Sequence, residues 1–167
     1  LTLSSIESAP LPDNTPVDME RLLHKLQRDA EALSQGKHHI EVIADYEQDI
    51  CGVESELVSA FSNLVANAIR YTPAGGTIRI IWKKAPLGIE FAVEDTGIGI
   101  DPKHIPRLTE RFYRVDRGRS RDVGGTGLGL AIVKHTLQRH QALLDISSQI
   151  GQGSRFSALF PTQRLNR

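Results

Sequence analysis

The sequence has little cysteine and no long apolar run, and both features limit the classes of protein to which it can belong. Cys51 is the single cysteine among 167 residues, which excludes an internal disulfide and a cysteine-based zinc cage. It is most simply interpreted as a small buried apolar residue. No apolar stretch approaches the roughly 20 residues that a membrane-spanning helix needs, and no basic-then-apolar signal segment opens the chain.

An excess of charge of either sign is also missing. Lys+Arg and Asp+Glu both number 20, so the formal net charge is zero. A balanced charge lacks the excess of positive charge that is typical of proteins that bind nucleic acid or a membrane surface. We therefore expect no nucleic-acid partner and no direct membrane contact. The length, with 40% hydrophobic and 24% charged residues, is typical of one globular domain with a single core.

The N-terminal residues predict a domain boundary. Residues 1–10 carry apolar residues at helical spacing, and the prolines that follow make residues 11–16 a linker. Residues 17–167 are predicted to form one domain. Because the chain begins at Leu1 rather than Met, we expect it to be part of a longer protein.

Hydrophobic periodicity predicts helices and strands that do not alternate strictly. This order favours an α/β fold in which helices cover one face of a mixed sheet, a two-layer α/β sandwich. Residues 111–125, rich in Arg, Asp and Gly, predict a mobile loop. The predicted helices run from Asp18 (as N-cap, with Leu22, Leu23, Leu26, Ala30 and Leu33 as its apolar stripe) to Gly36, from Glu54 to Tyr71 and from Thr126 to His140, and the predicted strands are 39–44, 77–83, 89–94, 143–148 and 155–160.

A carboxylate followed by two glycines ends one of these strands. Asp95 can accept a hydrogen bond from the exocyclic amine of adenine. Gly97 and Gly99 allow a flat ligand to approach the backbone. On its own this pattern is explained equally well by a capped turn between a strand and a helix.

A glycine run opens the last predicted helix: Gly125, Thr126, Gly127, Leu128 and Gly129. Backbone N–H groups at a helix N-terminus favour anions, and glycines let phosphates come close. A flexible hinge is the alternative interpretation. The run has neither Walker A spacing nor dinucleotide-fold spacing, and the loop signatures of Ser/Thr/Tyr kinases are missing as well.

Two asparagines share one face of the long predicted helix. Asn63 and Asn67 are four residues apart, and Asn is a mediocre helix former. They could be a solvated stripe, or an amide oxygen could bind Mg²⁺, which prefers oxygen donors and nucleotide phosphates. In the second case Arg70 could neutralise phosphate charge and Tyr71 could flank the base.

In this order the three features resemble the nucleotide site of the family that contains DNA gyrase B, Hsp90, histidine kinases and MutL, the GHKL or Bergerat fold. The similarity covers residues 17–161 and is strongest to bacterial sensor histidine kinases. Five segments carry it: residues 63–71 resemble the N box, 95–99 the G1 box, 110–114 the F box that starts the mobile ATP lid, 125–129 the G2 box and 151–156 the closing glycine turn.

The resemblance implies roles for individual residues. Asn67 would be the principal Mg²⁺ ligand with Asn63 in support, and Asp95 the adenine contact. Arg70 and the arginines of the lid would contact phosphates, so that Asn67 and Arg70 are the catalytic candidates. Thr96 stands where the family usually has Asn. The implied ATP-binding set is Asn63, Asn67, Arg70, Tyr71, Asp95, Gly97, Gly99, Phe112, Gly125, Thr126, Gly127, Leu128 and Gly129.

The resemblance also implies partners. The γ-phosphate of ATP would pass to a histidine on an absent upstream domain, and then to a response regulator. None of the six histidines of the chain has the Ser-His-Glu-like context of an acceptor, and we expect them on surfaces or helix flanks. Residues 1–10 would end the dimerisation helix of that upstream domain.

Residues 104–116 are similar to the phosphate-regulon branch of the sensor kinases, which implies phosphate-starvation signalling. We expect a monomeric chain from a cytoplasmic domain, within a homodimeric protein of the inner membrane.

Three other functions remain open. An ATPase of the same superfamily usually has a Glu where this chain has Asn63, and an amide cannot act as a base. A kinase that phosphorylates a partner's serine is less consistent with residues 1–10. A degenerate module that keeps ATP as a structural ligand is disfavoured by the intact Asn67 and Asp95.

Overall fold

The computed structural model describes residues 15–113 and 129–165. Within these ranges the chain forms three α-helices and seven strands. In chain order they are β1 (Pro16–Val17), α1 (Met19–Ser34), β2 (His39–Ala44), β3 (Ile50–Cys51), α2 (Glu54–Tyr71), β4 (Thr77–Ala85), β5 (Gly88–Asp95), a 3₁₀ helix (Pro102–Arg107), α3 (Gly129–Arg139), β6 (Leu143–Gln149), β7 (Gly153–Pro161) and a second 3₁₀ helix (Thr162–Arg164).

The main sheet has five strands in the order β2-β4-β5-β7-β6. β2 and β4 are parallel, and the other neighbours are antiparallel. The predicted mixed sheet is therefore confirmed. β1 and β3 form a separate antiparallel pair that the sequence did not reveal, because two residues are too few to show a period.

One face of the sheet carries the apolar core. Alternate side chains of a strand point to the same face, and Ile78, Ile80 and Trp82 of β4 are fully buried there. Phe61 of α2 stacks on Phe91 of β5 with ring centroids 3.9 Å apart. Residues of all three helices belong to this same core cluster, so the sandwich has the two layers that were expected.

On the opposite face, β5 and β7 carry a group of polar side chains. Glu90 accepts hydrogen bonds from Arg155 at 2.8 and 3.1 Å and from Ser157 at 2.6 Å. The Arg155 bonds are the main reason that the pKa of Glu90 falls from 4.5 to about 2. Arg155 also reaches Glu94 at 3.1 Å, which makes a charge-paired row across β5 and β7.

The first helix begins as predicted and is buried less fully than predicted. The Asp18 carboxylate accepts from the backbone N–H of Arg21 at 3.1 Å, an N-cap. The placement of Leu33 on the buried stripe is wrong, since this side chain is 56% exposed in the last turn. The helix ends at Ser34, because the C-cap residue Gln35 has a left-handed backbone that terminates the hydrogen-bonding pattern.

His140 lies at the C-terminal flank of α3, and it is fully buried rather than on a surface. Its Nδ1 donates to the carbonyl of Thr136 at 2.8 Å, and its Nε2 accepts from the backbone N–H of Val53 at 3.1 Å. The ring is therefore the neutral tautomer, and burial lowers its pKa. It accepts from the backbone of Val53, the N-cap residue of α2, whose own side chain forms no capping hydrogen bond.

An ion pair reinforces this junction of α2 and α3. Arg139 donates to Glu56 at 2.8 and 3.0 Å, and both side chains are largely buried. A buried pair of this kind costs several kcal/mol when one partner is removed. The N-terminus of α2 and the C-terminus of α3 are thus held together by two polar contacts.

Other predictions fall outside the described residues. These are the helical segment 1–10, the linker up to residue 14, the loop from residue 114 and the first three residues of the helix predicted from Thr126. The described part of that helix, α3, ends one residue before its predicted end. Among the described helices, none has the length and apolar character needed to cross a membrane.

Candidate nucleotide-binding site

The C-terminus of α2 and the turn after β5 lie side by side. The backbone N–H of Ile98 donates to the carbonyl of Tyr71 at 3.2 Å, so that the turn at residues 95–99 is fixed to the end of the helix. The sequence segments predicted to form one site are brought together here.

Asp95 is the last residue of β5 and is half-buried. Its Oδ1 accepts from the backbone N–H groups of Gly97 at 2.9 Å and Ser154 at 3.2 Å. Oδ2 has no protein partner in the part of the chain that the structure describes. Burial raises the pKa of this carboxyl, and the two N–H groups oppose that rise. The carboxylate is held by one oxygen, and the other remains available to a donor.

The two glycines of the turn are required for different reasons. A Cβ on Gly97 would collide with the carbonyl oxygen of Tyr71, so the helix end and the turn could not stay in contact. Gly99 has a φ of 75°, a left-handed conformation that favours glycine. Thr96, in the place of the usual Asn, accepts from the N–H of Thr77 at 2.9 Å and closes the strand end.

The asparagines of α2 are half-buried. Asn63 donates through Nδ2 to the carbonyl of Ser59 at 2.8 Å, and its Oδ1 is 2.9 Å from the point where a Cβ on Gly129 would lie. Its amide oxygen therefore faces the first turn of α3. Asn67, one turn further on, makes no side-chain hydrogen bond within the described residues, and Arg70 is exposed in the last turn.

Metal binding at this site would depend on amide oxygens. Within residues 15–113 and 129–165, no group of three or more His, Cys, Asp or Glu side chains could hold a metal ion. Hard cations such as Mg²⁺ take oxygen donors and often share them with substrate phosphates. The carboxamide of Asn67 and the oriented oxygen of Asn63 fit a metal that enters with a nucleotide.

The segment from the first 3₁₀ helix to Tyr113 contains a cluster that sequence reasoning missed. Nδ1 of His104 is hydrogen-bonded to the hydroxyl of Tyr113, and the guanidinium of Arg107 lies 4.4 Å above the Tyr113 ring. Arg107 also pairs with Glu110 at 2.8 Å. Phe112, predicted to contact ATP, is 66% exposed with a φ of 64°.

The structure describes only the end of the glycine run. Gly125, Thr126, Gly127 and Leu128 lie outside the described residues, and Gly129 is the first residue of α3. Its backbone lies beside Asn63, since a Cβ at this position would be 2.9 Å from Oδ1 of that side chain. The described end of the run therefore meets the N box, as a shared site requires.

A groove of about 410 Å³ lies at this end of the sheet, and Asp95 and Thr96 belong to its lining. Its charged lining residues include Arg79, Glu94 and Arg155 on the polar face. Arg79 is paired with Glu41 at 2.7 Å and Arg155 with Glu94, so these charges already have partners. The groove therefore adjoins the candidate site at Asp95, and Arg79, Glu94 and Arg155 are already paired within it.

The chain matches a known domain family and several named relatives. Residues 52–164 match the model of the histidine kinase-, DNA gyrase B-, and HSP90-like ATPase family. Over 162 residues the chain is 54% identical to the phosphate regulon sensor protein PhoR of Pseudomonas aeruginosa, with 96% of the chain and 37% of the relative covered. It is 46% identical over 159 residues to PhoR of Haemophilus influenzae, with 95% and 37% covered. The chain thus spans little more than a third of the length of these relatives.

Solved structures of sensor kinases have the same fold. The mycobacterial sensor histidine kinase MprB matches with a TM-score of 0.78 and 26% identity, over 89% of this chain and 97% of that one. Full-length ShkA in complex with AMPPNP matches with a TM-score of 0.80 and 27% identity, over 96% of this chain and 34% of that one. The arrangement of sheet and helices described above is therefore shared with these proteins.

Proposed function

Because the chain belongs to the family of histidine kinase-, DNA gyrase B-, and HSP90-like ATPases and is the ATP-binding catalytic domain of a sensor histidine kinase, we propose that its site around Asp95 and α2 transfers the γ-phosphate of ATP to a histidine beyond this chain. Mg²⁺ would accompany the nucleotide. The acceptor histidine would lie on the protein's own upstream dimerisation domain.

The observation that carries this proposal is the environment of Asp95. A buried carboxylate whose pKa is raised by desolvation costs free energy unless its charge is used. Here two backbone N–H groups fix Oδ1, and Oδ2 can accept from an exocyclic amine. This arrangement favours adenine, which presents an amine on its edge.

The asparagines of α2 support a metal-assisted transfer. We assign Asn67 as the principal Mg²⁺ ligand and Asn63 as its support, with Arg70 as a phosphate contact. When bound, Mg²⁺ would neutralise charge on the phosphates. The run from Gly125 to Gly129 would provide backbone N–H groups for the phosphates, and Phe112 and Tyr71 would border the nucleotide.

Asn63 also separates transfer from hydrolysis. A hydrolytic ATPase needs a general base for water, and the position that would supply it holds an amide already donating to the Ser59 carbonyl. The site can therefore orient and stabilise a phosphoryl group without activating water. A nucleophile must come from another domain or protein.

The relatives suggest the wider setting. Two of them are named as phosphate regulon sensors, which supports a role in phosphate-starvation signalling with a response regulator as the final acceptor. We place this domain on the cytoplasmic side of an inner-membrane protein. We expect the chain to be a monomer and the full-length kinase to be a homodimer.

Two measurements with the purified chain test this function. Calorimetry should show binding of ATP with Mg²⁺, and incubation with γ-labelled ATP should leave no stable label on the chain. Adding the full-length protein with Asn67→Ala, whose own site is impaired, should give an acid-labile and alkali-stable label on that protein. Release of inorganic phosphate by the chain alone would instead indicate an ATPase. Label on a serine would indicate the serine-kinase alternative. ATP that is bound but never transferred would indicate the degenerate module.

A further inference from the structure

Ser148, near the end of β6, is bonded to both backbone segments that hold Asp95. Its Oγ accepts from the backbone N–H of Ile100 at 2.8 Å, at the end of the turn that follows β5. The same hydroxyl donates to the carbonyl of Gly153 at 3.0 Å and lies 2.8 Å from Oγ of Ser154, both at the start of β7. Since a serine hydroxyl has a single proton, the hydroxyl of Ser154 is the donor in the last of these bonds.

The orientation of Asp95 depends on both segments. Its Oδ1 accepts from the N–H of Gly97, in the turn after β5, and from the N–H of Ser154, at the start of β7. A carboxylate is planar, so the two donors on Oδ1 also fix the direction in which Oδ2 points. A shift of the turn against β7 would move one donor away from Oδ1, and Oδ2 would turn with it.

The turn after β5 and the turn between β6 and β7 touch through their backbones. The N–H of Gly151 donates to the carbonyl of Ile98 at 2.8 Å. A Cβ on Gly99 would lie 2.2 Å from the carbonyl oxygen of Gln149, so no side chain fits between the turns at this point. Their relative position is therefore set by the hydrogen bonds that cross from one to the other, and Ser148 adds a side chain to that set.

We propose that Ser148 is a positioning residue for adenine recognition that acts through Asp95, and this inference rests on the proposed function. Its hydroxyl holds Ile100 on one side and the start of β7 on the other. It thereby keeps the N–H groups of Gly97 and Ser154 where they orient the carboxylate. Without this hydroxyl, Oδ2 loses its alignment with the adenine amine, while the parts of the site on α2 keep their places. Ser148 itself makes no contact with the nucleotide in this role.

The test measures binding to Ser148→Ala by calorimetry with two ligands, ATP and the purine ribonucleoside triphosphate that lacks the 6-amino group. The wild type should bind ATP at least about tenfold more tightly than the analogue, because only ATP can donate to Asp95. Ser148→Ala should bind ATP about fivefold more weakly than the wild type and should bind the analogue within about twofold of it. The preference for ATP should therefore shrink in the variant.

Two other serine variants serve as controls. Ser147→Ala makes the same change at the neighbouring residue, which is exposed and lies on the other face of β6, and it should bind both ligands as the wild type does. Ser148→Thr keeps the hydroxyl and should keep the preference for ATP. A threonine variant that loses the preference as the alanine variant does would show that the hydroxyl is not the determinant.

A double variant tests whether Ser148 acts through Asp95. When Asp95→Asn has already removed the carboxylate, Ser148→Ala should cause little further loss of ATP affinity, because the two residues serve one contact. Additive losses would overturn the inference. So would equal losses for ATP and the analogue in Ser148→Ala, or failure of that variant to fold, since each would make Ser148 a structural residue.

Measurements on the wild type separate this inference from the function on which it rests. A wild-type chain that binds no ATP would refute the proposed function, and the role of Ser148 with it. A wild-type chain that binds ATP and the analogue equally would refute the adenine contact of Asp95. If the wild type prefers ATP and Ser148→Ala retains that preference in full, the role of Ser148 alone is refuted.

Discussion

Replacing Asp95 with asparagine tests the adenine contact with the smallest change in shape. The new amide oxygen can still accept from the N–H groups of Gly97 and Ser154, which now bind Oδ1 at 2.9 and 3.2 Å. The amide nitrogen then replaces Oδ2 and offers a donor to the adenine amine, which is also a donor. The fold should remain while the recognition is lost.

The size of the effect follows from the charge of the acceptor. A hydrogen bond to a charged group contributes about 1.5–3 kcal/mol, which corresponds to roughly 10- to 150-fold weaker ATP binding. Burial raises the pKa of Asp95, so the neutral amide also avoids the cost of desolvating a charge. The variant without nucleotide should therefore unfold at the wild-type temperature or above.

The assay is calorimetry with ATP, together with thermal unfolding of the nucleotide-free chain. Asp101→Asn is a matched control, because it removes the same charge close by in the sequence. The side chain of Asp101 caps the 3₁₀ helix by accepting from the N–H of Lys103 at 3.0 Å, and an asparagine oxygen can still do so. This control should keep its ATP affinity. Unchanged affinity in Asp95→Asn would refute the adenine contact, and a joint loss of affinity and stability would make Asp95 a structural residue.

Three further predictions concern the metal and two buried polar groups. Asn67→Ala should weaken ATP binding measured with Mg²⁺ and have little effect in EDTA; equal losses in both would exclude it as the ligand. Because burial lowers the pKa of His140, its contribution to stability is complete above pH about 6.5 and is lost as the pH falls below that value. The free energy of unfolding, measured with urea between pH 5 and 8, should fall towards acid in the wild type and in the exposed control His24→Gln. The same fall in His140→Gln would contradict the assignment. The pKa of Glu90 is lowered from 4.5 to about 2, so its stabilisation is present above the higher value and lost as the pH falls towards the lower one. Glu90→Gln should lower the free energy of unfolding by on the order of 2–3 kcal/mol near neutral pH and should remove its fall at acid pH. If the variant loses stability with acid as the wild type does, the pair with Arg155 contributes nothing.

Helices and strands long enough to show a clear hydrophobic repeat were predictable from the sequence. The helix from Glu54 to Tyr71 was predicted with its observed bounds, because its buried residues follow the helical repeat through five turns. The strand from residue 39 to residue 44 was also predicted correctly. Leu33 fits the same kind of pattern and is nevertheless exposed, because the core does not extend as far as the last turn of α1.

Features that depend on distant partners were not predictable. The burial of His140 depends on the N–H of Val53, 87 residues away in sequence, and no local pattern records such a contact. Ser154 holds Asp95 through its backbone N–H, which any residue except proline could supply. That the buried hydroxyl of Thr72 has no partner among the described residues is likewise visible only in the structure.

The charge-paired face of the sheet has a consequence for how this domain moves. The arginine and glutamate side chains on β5 and β7 satisfy one another, and the hydroxyl of the buried Ser157 donates to Glu90 in the same row. Such a face loses paired charges and gains little apolar contact when another surface settles on it. Under the proposed function the domain must approach an acceptor histidine and then withdraw. Contacts made by this charge-paired row of β5 and β7 should therefore break as readily as they form.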